Sequence, residues 1–160
     1  MPRTDFSRMR CPIARSMEVL GERWAILVLR EAFYGTTRFD DFERHLGIAS
    51  NILSARLAKL VEHGMLERVP EGARHAYRLT EKGRDFFPAF LALKAWSDRW
   101  MAPDGPVVQL VNAETGEEVT AEPPRGADGA PLRPESVRLL PGPGAGEVMR
   151  RRLAPEVAHG

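Results

Sequence analysis

Polar side chains of two kinds lie close together in the sequence between residues 38 and 75. The first kind is short and hydrogen-bonding and falls on one face of a predicted helix: Ser50, Asn51 and Ser54. The second kind is cationic or can become so: Arg38, Arg56, Lys59, Arg74 and His75. Short polar groups at the exposed start of a helix can hydrogen-bond base edges in a major groove, and basic groups can bind phosphate. The pattern therefore indicates contact with DNA.

The elements that must position these residues are predicted from residue 38 to residue 79. A short helix with apolar residues at spacings of three and four ends at Gly47, and a second amphipathic helix follows over 48–63. Strands over 65–69 and 75–79 then flank a turn rich in Pro and Gly. Helix, turn, helix and hairpin in this order predict a winged helix-turn-helix, a mainly α fold with a small β wing.

One long helix is predicted from Thr80 to about Met101, with Thr80 as its N-cap. Its large apolar residues exceed what one small domain can cover, so we interpret the surplus as a subunit interface. The predicted interface residues are Phe87, Phe90, Leu91, Trp96 and Trp100. The alternative is that they pack against their own domain.

A larger set of residues between about 10 and 100 follows a known family pattern. It comprises Cys11-Pro12, Gly21-Glu22-Arg23-Trp24, Arg38-Phe39, Gly47-Ile48, Leu53, Leu57, Leu60, Gly64-Met65-Leu66, Arg68, Tyr77, Leu79-Thr80-Glu81-Lys82-Gly83 and Trp96. On these residues the chain resembles the HxlR-type (MarR-like) family of bacterial winged helix-turn-helix transcriptional regulators, although the family more often has Gly-Lys at Glu22-Arg23. The resemblance implies a non-enzymatic, sequence-specific regulator, expected to be a repressor. It also implies a homodimer that docks its recognition helices, 49–63, in the major groove of a partly palindromic operator.

The helix residues then have separate expected roles. Asn51 is suited to pair with an adenine edge, with Ser50 and Ser54 beside it, and Arg56 or Lys59 is suited to bind phosphate. The alternative for the short polar residues is helix capping and a solvated face.

The wing and the start of the first helix add three basic candidates. Arg74 and His75 at the wing tip are placed to reach phosphate or a neighbouring minor groove. Arg38 is a further candidate phosphate contact. Its alternative is a surface ion pair with Asp40 or Asp41.

Cys11 is the single cysteine of the chain. It is predicted just before a helix N-terminus with Arg8, Arg10 and Arg15 nearby, and both features favour the thiolate. Relatives with a cysteine at this place suggest a redox or electrophile sensor, so an oxidant or a small molecule is a candidate effector; the alternative is a small buried residue.

Two other functions remain open from the sequence. A winged helix can act as a protein-interaction module, which would show no salt-dependent DNA affinity. Cys11 could also serve a small thiol redox enzyme, but no second cysteine is present to resolve an intermediate.

Charge and composition differ between the two parts of the chain. Residues 1–100 carry 17 Lys and Arg against 13 Asp and Glu, a net of +4, whereas residues 101–160 carry 6 against 9, a net of −3. Nine of the 13 prolines lie after residue 101. We therefore predict a DNA-binding and dimerisation domain over 1–102, a small β-rich extension over 103–140 and a flexible tail over 141–160.

The extension is predicted to contain a hairpin of strands 107–111 and 117–121, with a third strand over 136–140. It resembles the zinc-ribbon segment of some relatives, but the cysteines are absent, and the four histidines lack metal-ligand spacing. We expect no metal or other cofactor. The N-terminus lacks the apolar segment of a signal peptide and no stretch suits a membrane span, so a cytoplasmic location is expected.

Overall fold

The computed structural model describes residues 5–154 of the 160-residue chain. Its elements are helices α1 (Pro12–Leu20), α2 (Ala25–Phe33), α3 (Phe39–Leu46) and α4 (Ser50–Glu62), strands β1 (Leu66–Glu71) and β2 (Arg74–Leu79), and helices α5 (Glu81–Asp85), α6 (Phe87–Met101) and α7 (Glu147–Arg152). The chain divides into two compact units, one of residues 19–122 and one that joins the described residues before 19 to those after 122. These divisions differ from the predicted boundaries at 102 and 140.

The core of the larger unit lies between α2, α3, α4 and the start of β1. Leu53, Leu57 and Leu60 of α4 are fully or almost fully buried and pack in one cluster with Leu29 of α2 and Phe42 of α3. Their spacing of four and three residues places them on one face of α4, so burying them fixes the rotation of that helix. The opposite face of α4 is thereby turned to solvent.

The wing is a two-stranded antiparallel sheet whose pairing runs from Leu66 opposite Leu79 to Glu71 opposite Arg74. The predicted five-residue turn over 70–74 is therefore too long, because only Gly72 and Ala73 lie outside the ladder. Gly72 has φ of +61°, a left-handed conformation that glycine adopts without steric cost.

The predicted long helix over 80–101 is wrong, because Phe86 separates α5 from α6. Pro88 explains the break, since its ring carries no N–H and clashes with the carbonyl one turn earlier. Pro88 instead lies in the first turn of α6. The predicted N-cap is confirmed: the Thr80 side chain accepts a hydrogen bond of 3.0 Å from the Gly83 amide.

The three strands predicted after residue 102 are not formed. The described part of this segment has only isolated bridges, between Val111 and Glu118 and between Arg125 and Pro131, and a short 3-10 helix at Pro134–Ser136. The predicted flexible tail contains α7, and its residues 155–160 lie outside the described range. Across residues 5–154, no helix is long and apolar enough to cross a membrane.

Candidate nucleic-acid interface

The exposed face of α4 carries small side chains. Ser50, Asn51, Ser54, Ala55 and Ala58 are all exposed, while the leucines of the opposite face are buried. Small groups allow the helix backbone to approach a groove floor closely, and three of the five can hydrogen-bond base edges. The exposed face of α4 is thus small enough for its backbone to come close to another surface, and it carries groups that can hydrogen-bond there.

The turn between α3 and α4 orients this face. Gly47 ends α3 in a left-handed conformation with φ of +60°, and Ala49 is extended before α4 begins. The Ser50 hydroxyl donates to the Glu43 carboxylate of α3. This bond ties the first turn of α4 to the preceding helix.

An open groove of 460 Å³ lies between α4, the start of α3 and the wing. Its lining residues are Arg38, Phe39, Asp40, Ser54, Arg68, Arg74, His75 and Tyr77. The structure therefore brings together four residues that the sequence selected: Arg38, Ser54, Arg74 and His75. They come from three elements separated by up to 37 positions in the chain.

Two of the three arginines that line the groove are paired with carboxylates. Arg38 Nη2 lies 2.7 Å from Glu71 Oε2, and Arg74 Nη1 lies 2.7 Å from Asp40 Oδ2. The Arg74 and Asp40 side chains are 66% and 65% exposed, so their pairing contributes little to folding. Both arginine side chains remain accessible to solvent, that of Arg38 being 43% exposed.

The predicted alternative for Arg38 was a surface ion pair with Asp40 or Asp41, but its ion-pair partner is Glu71. Asp40 pairs with Arg74 and Asp41 pairs with Arg44, so neither binds Arg38. Arg38 is extended before α3, and its backbone forms a bridge with Ala76 of β2. That bridge directs its side chain towards the wing.

The two basic residues predicted on α4 lie outside the groove. Arg56 Nη1 contacts Glu22 Oε2 at 2.9 Å, and their side chains are only 20% and 18% exposed. The expectation that Arg56 binds phosphate therefore conflicts with its position, because the cation is already paired and largely covered. Lys59 is 37% exposed and lies 3.6 Å from Glu62.

Arg68 is a groove residue that the site prediction missed. It is exposed on β1, and its Nη2 lies 3.1 Å from His75 Nδ1 across the wing. It also lines a second depression of 490 Å³ along α4 with Ser54, Ala58 and Tyr77. The alternation of side chains along β1 could have identified Arg68, because residues that pair directly across the hairpin share a face and Arg68 pairs opposite Tyr77.

The predicted interface residues of α6 have different environments. Phe90 is 4% exposed, and its ring stacks 5.0 Å from that of Phe33, so it packs within its own unit. Phe87 joins the same cluster, with its ring 5.3 Å from Phe33. Trp96 and Trp100 are 52% and 67% exposed.

Cys11 belongs to the smaller unit. The residue is exposed and directly precedes α1, and its carbonyl accepts a 3.1 Å hydrogen bond from the Arg15 amide. Within residues 5–154, no group of three or more His, Cys, Asp or Glu side chains is arranged to hold a metal ion.

A tri-helical core, a small-residue helix face and a basic wing around one open groove define a winged helix-turn-helix DNA-binding protein. The chain belongs to the HxlR-like helix-turn-helix family, whose sequence model matches residues 19–105. This family consists of transcriptional regulators and not of enzymes, which excludes the thiol-enzyme alternative for Cys11.

Three relatives illustrate the similarity. The HTH-type transcriptional regulator Rv3095 of Mycobacterium tuberculosis is 42% identical over 136 residues, which cover 82% of this chain and 86% of the relative. The crystal structure of PA1607, named a candidate transcription factor, is 43% identical with a TM-score of 0.78 and covers 86% of this chain and 99% of its own. PA1374 from Pseudomonas aeruginosa, also a candidate transcription factor, is 45% identical with a TM-score of 0.60 and covers 89% and 100%.

Proposed function

We propose that this regulator is a homodimeric repressor that binds a partly palindromic operator through α4 and the wing. The observation that carries the proposal is the groove in which Ser54 of α4 faces Arg38, Arg68, Arg74 and His75. Hydrogen-bonding groups specify bases, and the surrounding cations position the duplex. Both kinds of group line one surface.

In this proposal the first two turns of α4 enter the major groove. Asn51 and Ser54 contact base edges, while Ser50 keeps its bond to Glu43 and stiffens the entry. Arg38 and Arg74 exchange their exposed carboxylate partners for phosphates. Such an exchange releases counterions from DNA, so affinity must fall steeply as salt rises.

Dimerisation would follow from the exposed aromatic face of α6. Trp96 and Trp100 lie one turn apart on that helix and remain largely exposed in the isolated chain. A two-fold contact through them buries this surface and presents two α4 helices, as the two half-sites of a palindrome require. Repression would then result from occlusion of a promoter by the bound dimer.

Binding of the purified protein to DNA upstream of its own gene tests the proposal. Affinity that falls by a factor of about 10³ or more between about 50 and 200 mM salt, with preference over a scrambled duplex, is the expected result. Binding that does not depend on salt would instead support the protein-interaction alternative. So would the absence of binding both to this DNA and to other genomic fragments.

The same assay tests whether an oxidant is the effector. If Cys11 senses oxidants, diamide releases the wild-type protein from DNA but leaves Cys11→Ser bound. Equal release of both proteins would remove Cys11 from the mechanism. Retention of both would direct the search for the effector to small molecules.

A further inference from the structure

The larger unit also contains a cavity that shares no lining residue with the groove between α4 and the wing. It measures 700 Å³, within the range of small-molecule sites, and lies between α2, α6 and the segment that follows α6. Its apolar lining includes Tyr34, Phe90 and Ala102. Its polar lining consists of Arg30, Glu31, His45, Lys94, Ser97 and Asp98.

The carboxylates at this cavity are already neutralised. Glu31 is buried, and its Oε1 accepts from Arg30 at 2.9 and 3.2 Å, while its Oε2 lies 3.2 Å from His45 Nδ1. Asp98 Oδ2 lies 2.5 Å from Lys94 Nζ, one turn away on α6. Arg30 and Lys94 balance Glu31 and Asp98, so a charged ligand would enter without a net counter-charge from these two pairs.

The unused hydrogen-bonding groups are mainly donors. Among residues 5–154, neither Arg30 Nη1 nor the Tyr34 hydroxyl has a hydrogen-bond partner, and the Lys94 ammonium uses one of its three donors on Asp98. The Arg30 guanidinium lies 6.0 Å from the centre of the Tyr34 ring, which places both groups on one side of the cavity. Aromatic and aliphatic side chains form most of the remaining wall.

We propose that this cavity binds an uncharged apolar molecule that carries a carbonyl oxygen, such as an alkyl ketone with a phenyl group at the end of its chain. The apolar body packs against the Phe90 and Tyr34 rings, which meet edge to face at 6.3 Å. The carbonyl accepts from the Tyr34 hydroxyl and from Arg30 or Lys94. No net charge is buried.

The cavity also reaches the DNA-binding motif. His45 lies on α3, and its contact with Glu31 joins that helix to α2. A ligand that contacts Glu31 and His45 can therefore change the contact between α2 and α3, the helix that precedes α4. This regulatory consequence rests on the proposed function, whereas ligand binding itself does not.

Calorimetric titration of the full-length protein without DNA tests the site. The probes are 4-phenylbutan-2-one, its near-isosteric acid 3-phenylpropionate and the hydrocarbon butylbenzene. The ketone is expected to bind at least about tenfold tighter than either of the others. Equal binding of hydrocarbon and ketone, tighter binding of the acid, or binding of none of the three would overturn the proposal.

Two pairs of variants locate the binding. Ala102→Phe fills the cavity and should abolish ketone binding, whereas Ala95→Phe, at an exposed position of α6 outside the cavity, should not. Tyr34→Phe removes only the hydroxyl and should weaken the ketone about three- to tenfold while leaving butylbenzene unchanged. Unaltered ketone affinity in both Ala102→Phe and Tyr34→Phe would contradict the site.

DNA binding separates this inference from the proposed function. If the protein binds the ketone but no DNA, the cavity proposal stands and the repressor proposal is rejected. If it binds operator DNA but no ketone, the reverse holds.

Discussion

The guanidinium of Arg56 lies 2.9 Å from the carboxylate of Glu22, and the Arg56 side chain is four-fifths buried. The pair joins the recognition helix α4 to the segment between α1 and α2. We therefore expect Arg56 to support the fold rather than to bind phosphate.

Arg56→Ala is expected to lower the free energy of unfolding by about 1–2 kcal/mol, because Glu22 loses a largely covered cationic partner. Urea unfolding measures this. Lys59→Ala, on the same helix with a 3.6 Å contact to Glu62, is the matched control and should change stability by about 0.5 kcal/mol or less. The assignment would be contradicted if the folded Arg56→Ala protein lost more DNA affinity than the Arg74→Ala protein does.

Arg74→Ala is expected to weaken binding to operator and non-operator DNA alike and to reduce the salt slope by about one. The reason is that its exposed side chain exchanges a weak ion pair with Asp40 for a phosphate. Fluorescence anisotropy at several salt concentrations measures the slope. Arg138→Ala, an exposed arginine of the other unit, is the control and should leave the slope unaltered.

Asn51→Ala is expected to cost about 1–3 kcal/mol of operator binding without a change in non-specific affinity, because a base-edge contact discriminates between sequences. Competition between operator and scrambled duplexes measures the ratio. Asn112→Ala, the same change at an exposed site outside the helix-turn-helix, should retain full specificity. An unchanged ratio for Asn51→Ala would place base recognition elsewhere.

Trp96→Glu combined with Trp100→Glu is expected to convert a dimer to a monomer, since each charge would be desolvated in the proposed contact. Sedimentation equilibrium gives the mass. Leu139→Glu, another exposed apolar residue, should leave the mass unchanged. A doubly substituted protein that keeps the dimer mass would exclude this face of α6.

Gly83→Ala is expected to destabilise the protein by about 1–3 kcal/mol or more. A Cβ at Gly83 would lie 2.1 Å from the Met65 carbonyl oxygen, a backbone atom that cannot move without displacing β1. Thermal and urea unfolding measure the change. Gly142→Ala, where a Cβ meets nothing within 4 Å, should alter stability by less than about 0.5 kcal/mol.

The sequence determined the elements whose signals are local. Helical spacing predicted α3 and α4, the buried leucines of α4 follow from their period, and Thr80 caps the next helix as its side chain predicts. The family pattern then identified the class of protein. The helical and capping signals depend on residues within one or two turns of one another, so the sequence by itself contains them.

Tertiary structure alone decided which cations line the groove. Arg56 and Arg68 both carry a guanidinium, but Glu22 binds the first while the pairing of β1 with β2 turns the second towards α4. Such outcomes depend on partners far away in the chain, whose positions no local pattern contains. The cavity at Glu31 and His45 has the same origin, because it exists only where α2, α3 and α6 come together.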